Sequence, residues 1–112
     1  MPDEIVERLR AICLTLPEAE ERLTWGEINF RVRGKIFALV GTETVVCKAP
    51  SGTQAILVGA DSERFFVPAY VGHKGWIGIR LSGAPDWAEI AGLLKRSYRM
   101  TAPKRLAALV SQ

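Results

Sequence analysis

Histidine occurs once and cysteine twice in the 112 residues, and this scarcity removes most catalytic and metal chemistry before any fold is considered. The lone His73 excludes a multi-histidine metal site within one chain, and its neighbours Lys74 and Gly75 supply no carboxylate to orient an imidazole in a triad. Cys13 and Cys47 stand among apolar residues with no CxxC or Cys/His spacing. They are expected to be buried thiols, which suits a reducing cytoplasm. No apolar run approaches the roughly 18 residues of a membrane span. The first residues are acidic and amphipathic, whereas a signal peptide begins basic and apolar. The P-loop, the dinucleotide fingerprint and the nucleophile elbow are all missing. The expectation is a soluble cytoplasmic protein, outside the membrane, that is not an enzyme and holds no cofactor.

What is there is ordinary globular composition: 48% hydrophobic, 24% charged, mean hydropathy +0.10. Disorder and low-complexity scaffolds fall away, and residues 1–112 are expected to form one domain with a sizeable core. The net charge of +3 is unevenly spread. Residues 1–27 hold Asp3, Glu4, Glu7, Glu18, Glu20, Glu21 and Glu27 against Arg8, Arg10 and Arg22, a net of −4. Residues 28–112 carry twelve bases against five acids, a net of +7. Such a two-signed molecule meets an anion with one face only. The acids are no metal ridge, because three at a helix start are what the helix dipole favours and Arg8 and Arg10 are interleaved with them.

Asp3 is placed to cap a helix whose apolar positions Ile5, Val6, Leu9, Ile12, Cys13 and Leu16 recur at helical spacing up to Pro17. Glu18 to Gly26 reads as a short turn that brings Trp25 onto the end of the sheet. From Ile28 the period is two: Ile28, Phe30 and Val32 alternate with Asn29, Arg31 and Arg33, and Ile36 to Val40 resumes after Gly34. This is a hairpin with its turn at Arg33-Gly34 or Gly34-Lys35, and its outer side is cationic. A third strand, Val45 to Lys48, follows. Next come a helix over about Ser51 to Val58, an extended edge segment at Phe65 to Tyr70 interrupted by Pro68, and a tight loop Val71 to Gly75. The strand Trp76 to Leu81 carries Ile77, Ile79 and Leu81 on its apolar face, which leaves Trp76 partly exposed. Pro85-Asp86 opens a long helix with the stripe Trp87, Ile90, Ala91, Leu94 and Tyr98, so that Trp87 is expected in the core. Pro103 starts a last short helix. The order predicts an α+β fold, an antiparallel sheet with helices packed on one face.

Several of these features stand in a familiar order: Leu16-Pro17, Trp25-Gly26, Phe30-Arg31-Val32 with Gly34-Lys35 and Phe37-Ala38, and Lys48. They are followed by Asp61 to Phe65 leading to Pro68-Ala69-Tyr70, then His73-Lys74-Gly75-Trp76-Ile77 and Ser97-Tyr98. From about Leu9 to Leu109 this resembles the MmcQ/YjbR family of small bacterial proteins. The resemblance implies a CyaY-like (frataxin-like) fold and DNA binding by a double wing of two β-hairpins, here around Arg33-Gly34-Lys35 and His73-Lys74-Gly75. Val71-Gly72 departs from the family, which often has lysines or polar residues there.

The expected function is therefore duplex DNA binding of low sequence specificity by a monomer or homodimer. Arg31, Arg33, Lys35 and Lys74 would meet phosphates, and His73 or Trp76 would meet sugars or base edges. The alternative is a non-catalytic module of frataxin-like fold that binds a protein partner or a small ligand.

Overall fold

Two X-Gly pairs organise the first half of the chain. Trp25-Gly26 and Arg33-Gly34 all have positive φ (55° and 79°, 52° and 79°), the backbone of a two-residue turn whose twist matches that of paired strands. In the computed structural model, which describes residues 3–110, they join strands β1 (Ala19–Thr24), β2 (Glu27–Val32) and β3 (Lys35–Gly41). Strand β4 (Thr44–Cys47) continues the meander, and β5 (Phe65–Phe66) and β6 (Ile77–Arg80) complete a six-stranded antiparallel sheet in the order β1-β2-β3-β4-β6-β5. Helices α1 (Asp3–Cys13), α2 (Thr53–Ala60), α3 (Trp87–Thr101) and α4 (Lys104–Ala107) pack against it. The α+β arrangement and the buried, unpaired state of Cys13 and Cys47 are as expected. The cap expected from Asp3 lies outside the described side chains.

The core joins Leu9 and Cys13 of α1, Ile90, Leu94 and Tyr98 of α3, and Phe30, Val32, Phe37, Val45, Cys47, Ile77 and Ile79 of the sheet. Tyr98 lies edge-on to Phe37 with centroids 5.4 Å apart, and its hydroxyl donates to the Pro17 carbonyl at 2.6 Å. Asp86 caps α3 by accepting from the Glu89 N–H at 3.1 Å.

Four expectations need correction. Glu18 to Gly26 is no short turn, for it contains β1, which pairs with β2 from Ala19↔Val32 to Thr24↔Glu27. Trp25 does not plug the sheet, being 97% exposed at the hairpin tip, because the two-residue turn points its side chain away from both strands. Trp87 is half-buried at the core's margin beneath the Arg8 guanidinium, 5.0 Å from the ring centroid. The extended edge segment expected over Phe65 to Tyr70 stops at Phe66, where β5 ends, while the tight loop expected at Val71 to Gly75 is present as a 3-10 turn at Gly72–Lys74.

The register of the β2–β3 hairpin combines a known turn with an unexpected defect. The turn is Arg33-Gly34, with Val32↔Lys35 and Arg31↔Ile36 paired, but Phe30 faces Ala38 because Phe37 is bulged out of the ladder. A bulge puts two consecutive side chains on one face. Phe37 and Ala38 are both fully buried, and Ile36 and Leu39 turn to the other side. The bulge is held from α3. Ser97 Oγ donates to the Phe37 carbonyl at 2.6 Å and accepts from the Lys48 N–H at 2.9 Å.

Candidate functional site

The sheet face turned away from α1 and α3 holds an open cleft of about 630 Å³, lined by Arg31, Gly34, Lys35, Ile36, Leu39, Lys48, Val71, Lys74 and Trp76. Alternation puts Arg31 there, since Phe30 and Val32 on either side point into the core. The bulge at Phe37 supplies Ile36 and Leu39. Lys48 follows the buried Cys47 at the end of β4, and Ser97 fixes its backbone from beneath. The far wall is pinned by one side chain of α2: Gln54 Nε2 donates to the carbonyls of Gly72 (2.9 Å) and Trp76 (2.6 Å). Gly72 packs closely against Val67: a Cβ there would stand 2.6 Å from Val67 Cγ1, and that side chain would have to turn away.

The cleft collects four cations and has no carboxylate in its lining. Elsewhere several arginines are paired with carboxylates, Arg10 with Glu7 and Glu21, Arg22 with Glu20, Arg64 with Asp61 and Glu89, whereas Arg8, Arg80, Arg96, Arg99 and Arg105 form no salt bridge among the described residues. Among the described residues, Arg31, Lys35, Lys48 and Lys74 enter no such pair. Arg31 is steadied by neutral partners, its Nε donating to Asn29 Oδ1 at 2.8 Å and its Nη2 to Thr24 Oγ1 at 3.3 Å. Burial, with Lys35 and Lys74 nearby, holds the Lys48 ammonium below the ordinary lysine pKa. Its Nζ lies 5.7 Å from the Trp76 ring centroid, within range of a cation–π contact. Like charges gathered without a counter-ion make a ready seat for an anion. A second hollow of about 580 Å³ beside α1 has the opposite character, with Glu4, Glu7 and Glu43 against Arg8.

The structure thus brings together Arg31, Lys35, Lys74 and Trp76 of the residues singled out in the sequence. Trp76 is half-buried. Arg33 is turned the other way, its Nε 2.6 Å from Glu18 Oε1, and Glu18 titrates below the usual carboxylate range because of that bond. His73 is exposed on the 3-10 turn beside Lys74 and does not line the cleft. Lys48, named in the sequence only within the third strand and the resemblance, and Gln54 were not among the site residues expected there. A signal for Lys48 existed: it follows Cys47 out of phase with the core. For Gln54 there was none, since its role depends on a loop eighteen residues away.

The model of the family described as YjbR matches residues 14–100, from the end of α1 to the last turn of α3. This chain belongs to the YjbR family. A crystal structure of a Deinococcus radiodurans protein with the domain DUF419 is similar to it, with a TM-score of 0.77 at 21% identity over 85% of this chain and 76% of that one. At that identity the likeness speaks for the fold alone. No curated protein matches the chain significantly. Within this YjbR domain the matched span contains every residue that lines the cationic cleft. Among the described residues, no helix is long and apolar enough to cross a membrane, and no cluster of three or more His, Cys, Asp or Glu side chains is disposed to hold a metal ion.

Proposed function

We propose that this YjbR protein is a cytoplasmic DNA-binding domain that acts without catalysis, and that its contact surface is the open face of the sheet. The observation that carries the reading is the convergence of Arg31, Lys35, Lys48 and Lys74 on one acid-free cleft. The first hairpin contributes Arg31, Gly34 and Lys35, and the β5–β6 connection contributes Val71 and Lys74. The two wings therefore act as the two rims of a single site. Arg33 is engaged with Glu18 and is left out of the contact set, and Lys48 takes its place. Cations carried on strands and loops position a phosphate backbone without reading its sequence, so specificity is low.

Four phosphate contacts give a dissociation constant in the non-specific range, ~10⁻⁴ to 10⁻⁶ M at physiological salt, with a slope of log K against log salt near about −3.6. The test is a titration of labelled DNA at several salt concentrations with two double variants. Lys35→Ala with Lys74→Ala should weaken binding strongly and flatten the slope by about 2. Lys104→Ala with Arg105→Ala, which removes two exposed charges from α4, should leave the slope unchanged. Equal losses from both pairs would show that net charge alone drives association and that the cleft is not the site. Absence of binding even at low salt would favour a protein-interaction module instead, for which the exposed Leu23 and Trp25 at the β1–β2 tip are apolar contacts, alongside other exposed side chains such as Ile56 and Tyr70.

A further inference from the structure

The cationic rim accounts for phosphates, but it does not account for the floor. Ile36, Leu39 and Val71 form an apolar base to the cleft, with the Trp76 ring at its wall. A duplex presents its phosphates on a convex surface and keeps the faces of its bases stacked inside, so it would leave this floor uncovered. A volume of about 630 Å³ lies within the range of about 300 to 1,000 Å³ that takes small planar ligands.

The floor is also built rather than incidental. Leu39 is on this face because of the bulge that Ser97 secures, and Trp76 is on it with its carbonyl held by Gln54. Proteins that bind single strands combine such features, a basic groove for the backbone and an aromatic or apolar platform for unpaired bases. Resting on the DNA-binding reading above, we infer that the cleft receives an unpaired base against Ile36, Leu39 and Trp76, with the adjoining phosphates on Lys35, Lys48 and Lys74, and that its ligand is single-stranded DNA.

The experiment uses the whole chain at low salt with an oligothymidine strand and with a duplex of the same length. The single strand should bind about 10-fold more tightly, the order of one stacked base. Tryptophan emission should change on titration with the single strand and not in Trp76→Phe, since Trp25 and Trp87 lie outside the cleft. Leu39→Ser should lower the affinity for the single strand more than that for the duplex and so reduce the preference. Equal affinities in the unaltered protein, or a tighter duplex, would overturn the inference while leaving DNA binding intact, and that arm needs no variant to fold. An emission change that persists in Trp76→Phe would also overturn it. Binding of neither ligand would remove the DNA-binding reading itself.

Discussion

Removing the Ser97 hydroxyl is the most searching test of how the fold supports the site. Ser97 is fully buried, and its Oγ serves two backbone groups that the sheet cannot satisfy: the bulged Phe37 carbonyl at 2.6 Å and the Lys48 N–H at 2.9 Å. In Ser97→Ala both lose their partner, the Phe37 carbonyl in a buried position and the Lys48 N–H in a partly buried one. A buried polar group left unpaired costs about 1 to 3 kcal/mol, so the pair should cost roughly 2 to 4 kcal/mol, allowing for some relaxation. A chain of this length has an unfolding entropy for which 1 kcal/mol corresponds to about 4 °C. The expected fall in Tm is therefore about 8 to 16 °C, read by circular dichroism and checked by urea unfolding at constant slope. Ser62→Ala, at an exposed position, is the control and should change Tm by less than about 2 °C, as surface substitutions do. Hydrogen exchange supplies a second readout, since the Lys48 amide should lose protection more than the amides of β1. A loss in Ser97→Ala below about 0.5 kcal/mol, the level of a surface substitution, would refute the idea that this hydroxyl holds the bulge.

Three further outcomes are expected. Lys48 must be protonated to hold an anion and its pKa is depressed, so DNA affinity should begin to fall over a pH interval below that in which an ordinary lysine titrates. Lys48→Arg should keep its affinity over that interval, and an unchanged profile would separate Lys48 from binding. Glu21, held below the usual carboxylate range by its two-point bond to Arg10 (2.7 and 2.8 Å), contributes stability above the unfolded carboxylate pKa that is lost as pH falls through its lowered folded value. Glu21→Gln should accordingly flatten the acid limb of the urea midpoint against pH, and an unchanged acid limb would count against the bond. Trp25 is 97% exposed at φ 55°, a backbone region that asparagine tolerates far better than a bulky aromatic, so Trp25→Asn should raise the urea midpoint, and a clear fall would show that the ring makes a contact that its exposure conceals.

The parts of the molecule that were legible from sequence are those where one rule acts alone. Period-two alternation from Ile28 to Val32 gave β2 and its cationic outer side, helical spacing gave α1 and α3, and Pro68 marked the edge segment that contains β5. Strand β1 was missed because Ala-Glu-Glu-Arg-Leu-Thr has no apolar alternation. Its inward Glu21 is matched by Arg10 of α1 rather than by a hydrophobic neighbour, and that partnership is visible only in three dimensions. The turn Trp25-Gly26 was obscured for a related reason, since tryptophan is an unfavourable residue at a left-handed position. The bulge at Phe37 has no local sequence mark either, because it is stabilised by a serine sixty residues away. The site shared this division: the cations were readable as a class, but which of them converge depended on the bulge, on the Glu18–Arg33 bond and on the grip of Gln54.

The order β4-β6-β5 makes the middle strand of that group the last to leave the ribosome. Until Ile77–Arg80 emerges, β4 presents an open edge with unpaired backbone groups, a surface prone to wrong pairing. Closing it brings Thr44 beside Arg80, a distant pairing of the kind that slows folding. Ser97, which anchors the end of β4, arrives later still. A nascent or truncated chain that stops before Val71 would therefore carry the cations of the first rim with no opposite wall, and synthesis through β6 becomes the condition for a selective surface instead of a merely basic one.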